Sequence, residues 1–182
     1  MIAAIVLAAG ASTRLGRPKQ LVVLGGETLL ERAVRTARKA ACQPVVVVLG
    51  AEADQIRERC NLSGAAVVVN EAPGEGMSSS IRVGVGALPP VDGVVLMTCD
   101  QPAVTAEHLR ALMAVGDVAA SAYAGRCGVP AYFPAKAFAA LMELWGDAGA
   151  RGLLREAATV DLDGGELDVD TAADLDEAKR RF

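Results

Sequence analysis

Short apolar runs alternate with amphipathic stretches from one end of the chain to the other. Residues 2–7 form an unbroken apolar run, the pattern of a strand buried on both faces. Residues 28–41 take up helical spacing and open on Thr28 with Glu31 three positions later, a capping box. The valine run at 44–49 predicts a second buried strand, 53–60 a short helix and 66–69 a third strand. Residues 79–88 read as a helix closed by Pro89-Pro90, and 93–98 as a fourth strand ending at Cys99-Asp100-Gln101-Pro102. A helix at 105–115, with Glu107 in its first turn, precedes a pair of strands over 118–133 joined through 125–128. Helices at 136–144 and 148–157, a short strand at 167–169 and a closing helix capped by Thr171 with Asp174 complete the order.

Buried strands alternating with helices predict an α/β fold: three α/β/α layers, Rossmann-like, around a mostly parallel mixed sheet. No repeat, low-complexity tract or linker divides the 182 residues, so one domain spanning 1–182 is expected. Hydrophobic residues make up 52% of the chain and aromatics only 3%, a composition that suits Ala, Val and Leu packing helices onto a sheet. A net charge of −4 and a pI near 5.1 argue against a nucleic-acid binder or a protein of anionic membranes, so any phosphate must be held by local donors. The run at 2–9 has no basic segment before it and passes straight into a Gly/Ser loop, which reads as a strand rather than a targeting signal. No apolar stretch approaches the roughly 20 residues that span a bilayer. Cys42, Cys60, Cys99 and Cys127 are widely spaced without a CxxC pair and read as buried thiols of a reducing, cytoplasmic environment. A single histidine, His108, leaves little basis for a histidine base or a histidine-rich metal site.

In such sheets ligands bind outside the carboxyl ends of the strands, and the polar motifs gather there. The first strand runs into Leu7-Ala8-Ala9-Gly10-Ala11-Ser12-Thr13-Arg14-Leu15-Gly16-Arg17-Pro18-Lys19. Small residues let the backbone approach a polyphosphate, while Arg14 and Lys19 supply fixed positive charge where pyrophosphate would leave. The spacing is neither a Walker A loop nor GxGxxG. An ordinary βα turn carrying two surface cations is the alternative. Asp100 follows the fourth strand and so reaches the same sheet edge; Mg²⁺, which takes one or two carboxylates plus phosphate oxygens, suits it, the alternative being a cap on the next helix. Alternation places Asp168 and Asp170 on one face of the short strand, with Asp170 at its end, where it could complete a metal site or help to cap the last helix. Gly76-Met77-Ser78-Ser79-Ser80 opens a helix whose free N–H groups and hydroxyls could meet a base or anion, or simply cap it.

The LAAGxSxRxGxxK loop closely resembles the signature of the nucleotidyltransferases that make sugar nucleotides, diphosphocytidyl-methylerythritol and molybdenum-cofactor dinucleotides. The chain is identified on it as MobA-like. The resemblance implies the nucleotidyltransferase version of the fold, with Leu7, Ala8, Ala9 and Gly10 along the nucleotide and Arg14 and Lys19 on its triphosphate. It makes the Asp of the CDQP stretch, Asp100, the metal ligand, and the D-x-D-T-x-x-D-L pattern at 168–175 matches the family's and supports Asp170 beside it. Arg14, Lys19 and Asp100 are the expected catalytic groups, and Mg²⁺ the expected ion, with Mn²⁺ as a substitute. The stretch GMSSSxRxG is similar to one subfamily, the molybdenum-cofactor cytidylyltransferases, where Gly76 and Ser80 would read cytosine. Gly146-Asp147-Ala148-Gly149-Ala150-Arg151 resembles that subfamily's G-D-x-G-A-R segment, which makes Arg151, with Gln101, the expected acceptor contact. The segment Gly125-Arg126-Cys127-Gly128-Val129-Pro130 carries Val129 where the subfamily has His.

The function expected is transfer of CMP from CTP to the phosphate of molybdopterin with release of pyrophosphate, with a recipient molybdoenzyme as a further partner. GTP in place of CTP, or a sugar or alcohol phosphate as acceptor, are variations on the same chemistry. A non-catalytic nucleotide-binding chaperone would not need Asp100, and an NAD-binding domain disagrees with the glycine spacing.

Overall fold

The computed structural model describes residues 1–182. Seven strands form one sheet: β1 (Ile2–Ala8), β4 (Val45–Leu49), β5 (Ala66–Val69), β6 (Gly93–Thr98), β7 (Ala119–Tyr123), β8 (Arg126–Pro134) and β9 (Ala158–Asp161). They lie in the order β5-β4-β1-β6-β8-β7-β9, and β2 (Val23–Leu24) with β3 (Glu27–Thr28) makes a separate two-stranded hairpin. β5, β4, β1 and β6 pair in parallel, β8 runs antiparallel to both β6 and β7, and β9 returns parallel to β7. The mostly parallel mixed sheet is therefore as expected.

Alternation within the strands divides the core into two layers. Ala4 and Val6 of β1, with Val45 and Val47 of β4, face α1 (Leu29–Lys39), α2 (Ala53–Arg59) and α4 (Ala106–Ala114). Ala3, Ile5 and Leu7, with Val46 and Val48, face α3 (Met77–Gly86) and α5 (Phe138–Met142). Gly84 lets α3 lie close on the sheet, since a Cβ there would meet Ile5 Cγ2 at 2.7 Å. The closing helix α6 (Ala172–Arg181) covers the hairpin through a third, smaller apolar cluster that includes Leu24, Leu29, Val169 and Leu175. No helix is long and apolar enough to cross a membrane.

The structure departs from the local expectations at several points. Residues 148–157 do not form a helix: only a 3-10 turn at Arg151–Leu154 is present. Glycines explain it, since Gly146 and Gly149 take φ of 73° and 53° and interrupt any regular helix. The strand that follows, β9, is a short and largely exposed edge strand with no apolar run to announce it. Residues 167–169 are extended but join no ladder; the Val169 N–H instead donates to the Asp100 carbonyl at 2.9 Å. The β7–β8 turn is Ala124-Gly125, both at positive φ, so Arg126, Cys127 and Gly128 belong to β8 rather than to the turn. The β2–β3 hairpin, turning on Gly25-Gly26, was not predicted. Both capping boxes are present, Thr28 with Glu31 and Thr171 with Asp174. Cys42, Cys60 and Cys99 are buried as expected, whereas Cys127 is exposed. His108 is buried in α4, its Nε2 2.7 Å from Ser121 Oγ, and borders no cleft at the sheet edge.

Candidate active site

Three chain segments far apart in sequence meet beyond the carboxyl ends of β1 and β6. After β1 the chain loops to a 3-10 turn at Lys19–Leu21. Buried Gln20 holds this loop, its Nε2 donating to the carbonyls of Ala8 (2.6 Å) and Gly10 (3.2 Å). The Lys19 N–H donates to Ser12 Oγ at 3.1 Å, which fixes where the lysine side chain leaves the backbone. Gly50, after β4, admits the loop closely: a Cβ there would lie 2.6 Å from the Ala9 carbonyl oxygen.

Asp100 stands just past β6, and the Val169–Asp100 backbone bond draws Asp170 to it. The carboxylate of Asp174 receives hydrogen bonds from the Asp170 N–H (3.2 Å), the Thr171 N–H (2.8 Å) and the Thr171 hydroxyl (2.8 Å), so the start of α6 anchors Asp170. The Lys19 ammonium donates to Asp100 Oδ2 at 2.5 Å and to Asp170 Oδ1 at 2.7 Å, and Arg14 donates to Asp170 Oδ2 at 2.6 Å. Burial opposes the charge on Lys19, but attraction to Asp100 and hydrogen bonds to both carboxylates outweigh it and raise the lysine pKa. Asp100 Oδ1 is buried and has no hydrogen-bond partner.

Two adjoining clefts open on this cluster. The first, about 300 Å³, is bordered by Leu7, Ala8, Ala9, Gly10, Gly76 and Ser80, and by Lys19 and Asp100. Every residue expected along the nucleotide except Arg14 is thus on its wall. Gly76 sits at φ 94° with its neighbours pressed against the Gly146-Asp147 turn, and the Ser78 N–H donates to the Gly146 carbonyl at 3.2 Å. Ser80 Oγ accepts from Asn70 Nδ2 at 3.0 Å, and Asn70 also donates to Ser79 Oγ at 2.8 Å, which steadies the opening turn of α3.

The second cleft, about 640 Å³, shares Lys19, Asp100 and Asp147 with the first and brings in Arg14, Asp170, Gln101 and Arg151. Gln101 lines it but is 6% exposed, with its amide already engaged by the Tyr123 hydroxyl (3.4 Å) and the Gly165 carbonyl (3.3 Å). Arg151 is exposed on its wall. Val129 lines it as well, in the position where the resembled subfamily has His. Arg126 was not expected here: it lies over the Tyr123 ring at 5.1 Å and pairs with Asp168 at 3.7 Å. Only its place in the Gly125–Gly128 segment hinted at it. Gln20 and Asn70 are likewise absent from the sequence reading, because their side chains bond to groups 9 to 12 residues away that no motif spacing announces.

Burial, and then repulsion from Asp100, push the Asp168 carboxyl up to about 6, against the opposing pull of Arg126. A carboxyl raised in the folded state is held ionised at a cost, so stability contributed by its neutral form is lost as pH rises through about 6. Asp168→Asn is therefore expected to raise the melting temperature at pH 7.5 in the presence of a chelator, with a smaller gain at pH 4.5. Equal shifts at both pH values would contradict the assignment of that raised carboxyl.

A family model for the MobA-like NTP transferase domain matches residues 4–161, which runs from within β1 to the end of β9 and takes in most of both clefts. The chain belongs to the MobA-like NTP transferase family. The nicotine blue oxidoreductase of Paenarthrobacter nicotinovorans is 35% identical to the chain over 167 residues, 85% of this chain and 82% of that one. A probable molybdenum cofactor guanylyltransferase of Opitutus terrae is 34% identical over 107 residues, 58% of this chain and 50% of its own length. The crystal structure of the Rv0371c protein of Mycobacterium tuberculosis H37Rv in complex with manganese superposes with a TM-score of 0.83 at 32% identity, covering 100% of this chain and 99% of that one. This MobA-like chain is accordingly a nucleotidyltransferase by family.

Proposed function

We propose that the protein transfers CMP from CTP to the phosphate of molybdopterin, releasing pyrophosphate, with Mg²⁺ held by Asp100 and Asp170. The observation that carries this reading is the cluster of Arg14, Lys19, Asp100 and Asp170 at the junction of two clefts. One cleft is walled by backbone and small residues, as a nucleotide requires; the other carries Arg126 and Arg151, as a phosphorylated acceptor requires. The donor set fits a divalent ion that is shared with phosphate. Two carboxylates converge with one buried oxygen left over, and no group of three or more His, Cys, Asp or Glu side chains gathers into a closed protein cage. The manganese complex of the mycobacterial relative supports a divalent ion in the family. Cytosine rather than guanine is favoured by Ala9-Gly10 and by the Gly76–Ser80 opening of α3; the molybdenum cofactor is favoured by the Opitutus relative.

The acceptor phosphate attacks the α-phosphorus in line and pyrophosphate leaves on the opposite side. A phosphate monoester, with its second pKa near 6, is mostly dianionic at neutral pH and needs no general base. The burial of His108 away from both clefts is consistent with that. The bound metal would neutralise phosphate charge and steady the crowded transition state. The work left to the chain is positioning and charge: Arg14 and Lys19 on the departing phosphates, the Ala8–Gly10 backbone along the nucleotide, Arg151 and Arg126 on the acceptor.

The test is pyrophosphate release with Mg²⁺, molybdopterin and each of the four NTPs in turn. Release with CTP alone, at least tenfold above the other three, is expected. Release with GTP instead would replace the base and keep the reaction. The name of the Paenarthrobacter relative denotes a redox enzyme. A redox reading leaves the polyphosphate-facing cations and paired carboxylates without a task, and it gains ground only if no NTP releases pyrophosphate while a reduced nicotinamide is consumed.

A further inference from the structure

Lys19 occupies the carboxylate pair in the manner of a bound cation. Of the four oxygens of Asp100 and Asp170, two accept from its ammonium, one accepts from Arg14, and only the buried Asp100 Oδ1 is free. The lysine side chain is 17% exposed, so these contacts are sheltered from water. A divalent ion that takes one oxygen from each aspartate meets an ammonium already bonded to both, and two positive charges cannot share that space at low cost in a sheltered site. The lysine stem is flexible, whereas its backbone is pinned to Ser12, so a displaced ammonium stays tethered on the wall of the first cleft.

We infer that Lys19 and a divalent ion compete for the Asp100–Asp170 pair, and that metal binding releases the Lys19 ammonium to the phosphates of the nucleotide. Lys19 is then a phosphate-binding group gated by the metal: held back while the carboxylates lack their ion, and delivered when the ion arrives. This rests on the proposed function only for the identity of the anion that receives Lys19; the competition does not depend on it. It gives a reason for nucleotide and metal to bind together, since each ligand removes the partner that opposes the other.

The lysines of the chain are Lys19, Lys39, Lys136 and Lys179, few enough for their ammonium groups to be followed individually by ¹⁵N NMR. Titrating Mg²⁺ into the wild-type protein without nucleotide is expected to move the Lys19 signal from a hydrogen-bonded to a free position, the other three standing still. Adding tripolyphosphate should then return it to a bonded one. A Lys19 signal indifferent to saturating Mg²⁺ overturns the inference. In parallel, Mn²⁺ affinity measured by electron paramagnetic resonance should tighten tenfold or more in Lys19→Met; equal or weaker binding overturns it as well. If Lys19→Met does not fold, the wild-type NMR titration decides alone. Loss of turnover with every NTP, together with a Lys19 signal that responds to Mg²⁺, would remove the reaction and leave the competition standing.

Discussion

Asp100→Asn is expected to lower pyrophosphate release by about 10²- to 10³-fold at saturating substrates, the usual cost of removing one group that stabilises charge in a transition state. The fold should survive. Asn fills the same space at the end of β6, and the backbone bond from Val169 to the Asp100 carbonyl does not involve the side chain. The loss arises because a neutral amide holds a divalent ion far more weakly than a carboxylate does, and because the orphaned buried Oδ1 is the one oxygen of the Asp100–Asp170 pair that no protein group engages. The check is kcat with CTP and molybdopterin beside the urea midpoint. Turnover within threefold of wild type, with an unchanged midpoint, would take Asp100 out of the chemistry.

Gly76→Ala should act on the other side of the site. At φ 94° and ψ 179° this residue occupies a region close to glycine-only, and an added Cβ would collide with Asp147 Oδ1 and lie 2.6 Å from the Gly146 carbonyl carbon. The opening of α3 must then lift from the Gly146-Asp147 turn, or the turn must yield. A loss of about 1–3 kcal/mol is expected, the range for a residue forced into such a conformation. The first cleft, the proposed nucleotide site, loses part of its wall while Lys19, Asp100 and Asp170 stay put, so KM for CTP should rise tenfold or more with kcat nearly unchanged. A fall in kcat at constant KM would place Gly76 in the chemistry instead of the cleft wall. Steady-state kinetics separates the two.

Elements whose signal was local could be read from the sequence. The apolar runs of β1, β4 and β6 have one interpretation when flanked by glycine and helix caps, and both capping boxes sit where Thr28 and Thr171 announced them. Asp168 and Asp170 share a face because extended backbone alternates whether or not it joins a ladder, so that expectation survived the absence of a strand. The region after α5 was misread because leucines and alanines suggested a helix that Gly146 and Gly149 do not permit, and because β9 has an exposed face with nothing apolar to mark it. Within the site, residues carried by a spaced motif were visible, including Lys19 and Asp100. Those that work through contacts no motif spacing marks were not. Gln20 holds its loop through carbonyls 10 and 12 residues away, and Arg126 reaches the second cleft only because the β7–β8 turn is two residues long.

The anchoring of Asp170 has a consequence for cooperativity. Its segment joins no ladder, and α6 rests on an apolar cluster of 7 buried residues, against 25 and 15 for the two layers that flank the sheet. Partial openings follow the weakest cluster first. Fraying of the carboxyl-terminal helix would therefore withdraw one of the two aspartates and expose Lys19 while the seven-stranded sheet remained intact, so that catalytic competence would melt ahead of the bulk of the molecule.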